Sequence, residues 1–446
     1  MAIANPNNSH SQPPAQLKRQ IGVLAACLLG LGSILGTGVF VSLATAAEAT
    51  GPSVLLAVAV AAGVAACNGL SSAQLAANHP VSGGTYEYGY RWLRPQLGFT
   101  AGWMFLCAKS ASAATAALGF AGYLLHLLHG PTEWLVPIAV LTCLSVTLLT
   151  LTGLKRSSSV NTLIVSVTIG SLLAFVVTGF PVARENSPQH LRDLLPSTAN
   201  TFNWPSFLKA CALMFVAYTG YGRIATLGEE IHHPRRSIPR AIIVTLLVSM
   251  LLYIAVAGVA IGSVGANGLA AGLDQQAAPL EVVAQTFPVD WVQPVIAIGA
   301  MTAMLGVLLN LVLGLSRVVL AMARRGDLPT LFARLDATGT TPWPAVLLVG
   351  ALITLLATIG SVKTTWSFSA FTVLIYYALT NLAALQLSST ERLYPRVVSW
   401  LGLLSCLFLA IWVEAPIWGT GLSLILLGLL WQRFMQRRNS SATQEK

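Results

Sequence analysis

Gly32-Ser33-Ile34-Leu35-Gly36-Thr37-Gly38 is the stretch on which the reading of this chain turns. It lies in the middle of an apolar run from about Gln20 to Ala47, long enough to cross a bilayer as a helix. Three glycines and two hydroxyl residues at mid-depth are poor helix material, since Gly costs about 1 kcal/mol relative to Ala there. A helix that opens here exposes backbone N–H and C=O groups that hydrocarbon cannot satisfy, so the break must face protein or a wet cavity. The N-terminus of the half-helix restarting after Gly38 then forms an anion site of backbone amides, suited to a carboxylate. The alternative is a run of small residues for close helix packing, because Gly32 and Gly36 also form a GxxxG pattern. This stretch alone leaves both readings open.

Composition sets the frame around it. Of 446 residues 55% are hydrophobic and only 9% charged, and mean hydropathy is +0.72. Soluble chains carry about 25% charged residues, so the deficit places this one in a membrane. The net charge of +10 does not indicate nucleic acid, because the basic residues sit at helix ends rather than in a patch. Six cysteines lie singly in apolar segments with no CxxC pair and read as small hydrophobes, not as a disulfide frame or metal site. Residues 1–17 are polar, and the first apolar run is too long and broken for a cleavable signal.

Apolar runs between polar breaks predict twelve transmembrane helices, near 20–47, 51–77, 96–128, 134–152, 160–180, 208–228, 239–264, 291–322, 343–360, 365–388, 395–413 and 415–433. With the N-terminus cytoplasmic, the basic clusters at Lys18-Arg19, Lys155-Arg156, Arg235-Arg236, Arg324-Arg325 and Arg437-Arg438 share one side. The other side then holds only Arg184, Arg192, Lys209 and Lys363. This predicts a multi-pass protein of the plasma (inner) membrane, with a cytoplasmic tail at 1–19 and another at 434–446. The outer loops near 181–207 and 265–290 mix aromatic and apolar residues with Pro and Gly, the composition of short interfacial lids.

A second interruption falls in the sixth run, at Phe215-Val216-Ala217-Tyr218-Thr219-Gly220-Tyr221-Gly222. Interrupted helices at corresponding positions of two halves mark the binding site of inverted-repeat transporters. The repeats are then 20–180 and 208–388, each of five helices and inverted by that odd number, with two additional helices at 389–433.

Ile34-Leu35-Gly36-Thr37-Gly38-Val39-Phe40 resembles the first-helix signature of the amino acid–polyamine–organocation superfamily of permeases. Pro80-Val81-Ser82-Gly83-Gly84-Thr85-Tyr86 with Tyr90-Arg91 is similar to its cytoplasmic loop after helix 2. The stretch from Phe215 to Gly220 with Glu229-Glu230 and Ile238-Pro239-Arg240 resembles its sixth helix and following loop. Ser316-Arg317, Ala321-Met322-Ala323-Arg324 and Gly326-Asp327-Leu328-Pro329 resemble the end of its eighth. These matches run in order from about residue 17 to 345. The resemblance implies a five-plus-five inverted repeat with broken helices 1 and 6 and secondary transport of amino acids or related amines.

Amides around Gly36, Thr37 and Gly38 are the expected carboxylate dock, with Thr37 adding a hydroxyl. Carbonyls near Ile34 and near Phe215, Val216 and Ala217 are the expected ammonium site, beside Gly220. Phe215 and Tyr218 either gate the pocket or simply pack. Lys109, near mid-span in the third helix, is a functional candidate by its charge alone; its bland role is snorkelling or facing a wet crevice. The resemblance makes it a departure, because relatives commonly carry an uncharged or acidic residue hereabouts. Arg223 either pairs with Glu230, seven residues on, or helps to close an inner gate. Several carriers of the superfamily place a Lys in helix 5 where it replaces a sodium ion; the matching position, counted from Asn161, is Thr168. Sodium, a proton or Lys109 must then supply that charge, unless the carrier is uncoupled.

No carboxylate is embedded at mid-span, which favours neutral, apolar amino acids over cationic ones or polyamines. The residues offer no HExxH, GxSxG or Walker pattern, so an enzyme is not expected, nor is a cofactor. A channel would need a pore ring or filter repeat, which is missing. A sensor on a transporter scaffold remains the alternative of another class.

Overall fold

A computed structural model of the chain describes residues 21–81, 83–152, 158–191, 202–226, 228, 231–274, 278–336 and 341–444. The apolar runs form helices, the one open-ended element in which each backbone bond closes within its own segment. The first run is α1 (Val23–Ile34), a π-helical turn at Gly38–Ser42, and α2 (Leu43–Thr50). Gly51, at φ 67°, reverses the chain into α3 (Val54–Asn78). A short α4 (Thr85–Trp92) leads into α5 (Pro95–Leu127), followed by α6 (Leu135–Leu151) and α7 (Ser158–His190).

The second half opens with α8 (Trp204–Tyr218), a 3-10 turn at Thr219–Tyr221 and α9 (Gly222–Thr226). Then come α10 (Pro234–Asp274), bent at Gly265, and a six-residue α11 (Pro279–Ala284). The chain finishes with α12 (Val292–Arg324), α13 (Trp343–Ala357), α14 (Val362–Leu385), α15 (Arg396–Ala410) and α16 (Ala415–Gln444). Among the described residues there is no strand beyond an isolated bridge between Ile21 and Ile231.

Eight helical stretches are long and apolar enough to cross a membrane, and α13 and α15 are shorter apolar helices. The core sits around α5, which packs along α12 and α14. Helix α3 lies against α8 and α10, α7 against α10 and α12, α6 against α13, and α1 against α10. The apolar side chains left exposed, such as Leu141 and Leu148 on α6 and Leu401 and Leu404 on α15, form outward faces suited to lipid.

Two boundaries differ from the sequence expectation. Helix α7 continues past residue 180 to His190, through Pro181 and Pro188. Its extension is held to α10 by Asn186 Nδ2 donating to the Ser263 carbonyl (3.0 Å) and His190 Nδ1 against the Gly262 carbonyl (2.9 Å). The segment 265–290 is largely helical, as the end of α10 and α11.

The motif loops after α3 and α12 meet. Tyr86 and Tyr90 on α4 both donate to Asp327 Oδ2, at 2.8 and 2.6 Å, and Arg325 pairs with Glu87 at 2.6 Å. At the opposite face, Glu281 on α11 lies fully buried, 3.0 Å from His126 Nδ1 at the end of α5. Burial pushes the Glu281 carboxyl above the ordinary carboxylate range, and His126 opposes that shift without cancelling it. Tyr123 joins this corner to the first helix, donating to the Phe40 carbonyl (2.8 Å) and accepting from Leu280 N–H (3.4 Å).

Candidate functional site

The first helix opens because Leu35 turns to an extended conformation (φ −75°, ψ 92°) directly after Ile34. Regular bonding resumes when the N–H groups of Val39 and Phe40 both donate to the Gly36 carbonyl, at 3.2 Å. The second interruption is milder. Helix α8 tightens into its 3-10 turn without leaving helical space, and Thr219 Oγ1 donates back to the Val216 carbonyl at 2.7 Å.

The two interruptions touch. A Cβ on Gly220 would collide with the Ser33 carbonyl, so only glycine permits this approach. Gly38 lies against Ala217 and the Tyr253 hydroxyl in the same way; a Cβ there would come within 2.7 Å of both. Tyr253 on α10 donates to the Ile34 carbonyl at 2.7 Å and reaches the Ala217 carbonyl at 3.2 Å. One hydroxyl thus serves both opened helix ends. Tyr377 on α14 donates to the Thr219 carbonyl at 3.3 Å.

A cavity of about 910 Å³, open mouth included, begins at this junction. Ile34, Thr37, Gly38, Val216, Ala217 and Gly220 line it, and so do Lys109 and Arg223. Its lining also includes Gly83, Thr226 and the exposed Arg317, toward the face that carries the Glu87–Arg325 pair. Trp366, whose indole donates to the Leu213 carbonyl at 3.0 Å, and Phe105 add apolar wall.

Five sequence candidates lie elsewhere or outside the described residues. Gly36 packs on Val307 of α12, where a Cβ would meet Cγ2 at 2.6 Å. Phe215 is fully buried edge-on to Tyr377, and Tyr218 packs on Tyr253 with its hydroxyl 3.4 Å from the Val58 carbonyl; neither lines the cavity. Thr168 donates to the Ile164 carbonyl within α7, away from the lining. Glu230, and with it the Arg223 pair, is outside the described residues.

Lys109 is brought to the site. Only 8% exposed, it donates through Nζ to Thr219 Oγ1 at 2.9 Å, which ties α5 to the second interruption. Sequence reasoning missed Tyr253, which sits in an ordinary apolar run, Leu251-Leu252-Tyr253-Ile254, with no local signal. It also missed Asn310, a polar residue in the apolar α12. Thr219 stood within the quoted stretch and was the one partner open to discovery from the sequence.

The sequence profile of the amino acid permease family matches residues 21–425. An uncharacterized transporter of Mycobacterium tuberculosis is 40% identical, over 89% of this chain and 87% of its own. The branched-chain amino acid permease of Bacillus subtilis is 28% identical, over 96% and 95%. A vacuolar cationic amino acid transporter of Arabidopsis thaliana is 27% identical, over 77% and 59%. The chain therefore belongs to the amino acid permease family of the amino acid–polyamine–organocation superfamily, as an integral multi-pass membrane protein and a transporter rather than an enzyme.

Proposed function

We propose that this protein is a secondary carrier that moves amino acids by alternating access, holding the substrate carboxylate and ammonium on the opened backbone of its first and sixth helices. The observation that carries this reading is the junction itself: two interrupted helices meet backbone to backbone in the wall of a cavity. In that geometry the amides after Leu35 face a carboxylate, and the carbonyls of Ile34, Val216 and Ala217 retain a second lone pair for an ammonium.

The packing supports the inverted repeat. Number the crossings so that α1–α2 is the first and α8–α9 the sixth. Contacts then recur when each helix is exchanged with the one five places on: α1 on α10 answers α8 on α3, and α5 on α14 answers α12 on α7. Likewise α5 on α6 answers α12 on α13, and α7 on α10 answers α14 on α3. Twelve crossings follow from counting the reversal at Gly51, the interrupted α8–α9 and the shorter α13 and α15. With the basic loops cytoplasmic, in the plasma membrane, the mouth at Arg317 faces inward, and α11 with Glu281 is the outer lid.

The lining contains no Asp or Glu among the described residues. That opposes a dibasic amino acid or polyamine, even though cationic transporters are among the relatives. It leaves amino acids with neutral or acidic side chains, and the branched-chain permease lends weight to the neutral ones. A sodium ion or proton is the proposed coupling ion, because Thr168 carries no charge of its own.

Counterflow in proteoliposomes tests this. Unlabelled amino acid on one side should accelerate entry of labelled amino acid, saturably, with sodium and pH varied in turn. Gly38→Leu, at a glycine in the lining, should abolish the exchange while protein remains in the membrane. Uptake retained by that variant would refute the site, and binding without counterflow would mark a sensor.

A further inference from the structure

Among the described residues the side chains lining this cavity include an ammonium, two guanidinium groups and an amide, but no carboxylate. Lys109 offers three N–H donors, and the only polar partner it has among the described residues is the Thr219 hydroxyl. That hydroxyl gives its own proton to the Val216 carbonyl, so it meets Lys109 purely as an acceptor. Asn310 on α12 is 6% exposed, lines the same cavity, and its buried Nδ2 donates to nothing among the described residues. Farther toward the mouth, Arg223 and Arg317 add two guanidinium groups to the lining.

A buried ammonium without a counter-charge is costly, as is an orphaned amide donor. Neither α5 nor α12 nor the α8–α9 interruption supplies a carboxylate to the lining. The carbonyls of the junction, by contrast, already receive protons from Tyr253, Thr219 and Tyr377. The site's carbonyl acceptors are partly served, whereas Lys109 has one hydrogen bond for its three donors and Asn310 Nδ2 has none among the described residues.

We infer that the cavity takes a substrate of net negative charge, an acidic amino acid, whose side-chain carboxylate is bound by Lys109 and Asn310. This rests on the carrier reading above but departs from its neutral preference: the first interruption holds one carboxylate, and Lys109 with Asn310 holds the second. Lys109 is then a specificity-determining residue. Its charge-assisted hydrogen bond separates glutamate from glutamine, which has the same shape and lacks the charge.

The test uses the full chain in lipid nanodiscs. Melting temperature is measured across titrations of glutamate, aspartate, glutamine, leucine, lysine and succinate, and counterflow is measured with the same set in proteoliposomes. A ligand of the native state raises the melting temperature with its affinity and concentration. Glutamate or aspartate should bind at least about tenfold more tightly than glutamine. Lys109→Gln and Asn310→Ala should each shrink that ratio toward one, and Lys109→Arg should restore part of it, which separates lost recognition from lost folding.

Leucine or glutamine binding the wild type as tightly as glutamate would overturn the inference and leave the carrier reading intact. An acid preference undiminished in both Lys109→Gln and Asn310→Ala would overturn the assignment of these residues. Succinate binding with no acidic amino acid would overturn the amino acid half of the proposal. No shift and no counterflow with any amino acid would bring down the carrier reading, and this inference with it.

Discussion

The two interrupted helices solve one problem in different ways. The first leaves helical space outright at Leu35 and restarts through a π-helical turn. The second stays within it, tightening to a 3-10 turn whose loose carbonyls are taken up by hydroxyls from Thr219, Tyr253 and Tyr377. Three glycines in seven residues loosen the first break, whereas the second is bordered by Tyr218 and Tyr221, both buried against aromatic neighbours. The contrast teaches that an opened backbone can be maintained by composition at one place and by imported hydrogen bonds at another. The first break is thus the adaptable half of the junction and the second its braced half.

Gly220→Val tests that contrast most severely. Its side chain would occupy the position of the Ser33 carbonyl, and backbone cannot move aside as a flexible side chain can. Uptake should be lost entirely and the melting temperature should fall. Near wild-type transport would mean that the two breaks do not need to touch.

Tyr253→Phe comes next. It removes the one donor shared by the Ile34 and Ala217 carbonyls, at a cost of about 1 kcal/mol for a hydrogen bond inside a membrane protein. Thermal unfolding should show that loss, and uptake should fall with it. An unchanged melting temperature would show that the breaks hold themselves open.

Thr219→Val should destabilise less, by about 0.6 kcal/mol, since it removes a bond within the turn itself. It also strips Lys109 of its one polar partner among the described residues, so its effect on substrate affinity should exceed its effect on melting temperature. Equal effects on both would count against an active role for the braced half. Tyr218→Phe should do least of all: its hydroxyl is 3.4 Å from the Val58 carbonyl, and the ring contact with Tyr253 survives. Stability within about 0.5 kcal/mol of wild type and unaltered uptake are the expected results. A strong transport defect would return Tyr218 to the site.

Much of this was legible in the chain itself. Gly36-Thr37-Gly38 and the stretch from Phe215 to Gly220 flagged both interruptions, because glycine and hydroxyl residues at mid-span conflict with an uninterrupted apolar helix. Lys109 announced itself by charge in the same way. Phe215, Tyr218 and Thr168 were harder to place, because which face of a helix meets the cavity depends on helix rotation, and nearly uniform apolarity hides the rotation. Tyr253 was invisible for the same reason: an aromatic residue in an apolar run looks like packing until its hydroxyl is seen between two carbonyls.

The sequence by itself determined the class of environment, the family signatures and the positions where the helices must give way. Each of these is a local property, set by hydropathy over a bilayer's thickness and by glycine's missing side chain. Only the tertiary structure decided that the two weak points touch, that Tyr253 serves both, and that Lys109 and Asn310 line the same cavity. Those facts depend on contacts between residues far apart in the chain, from 36 positions for Tyr253 and Ala217 to 110 for Lys109 and Thr219 and 219 for Tyr253 and Ile34. Lipid-like apolarity on every face of a helix leaves no pattern along the chain from which such contacts can be read.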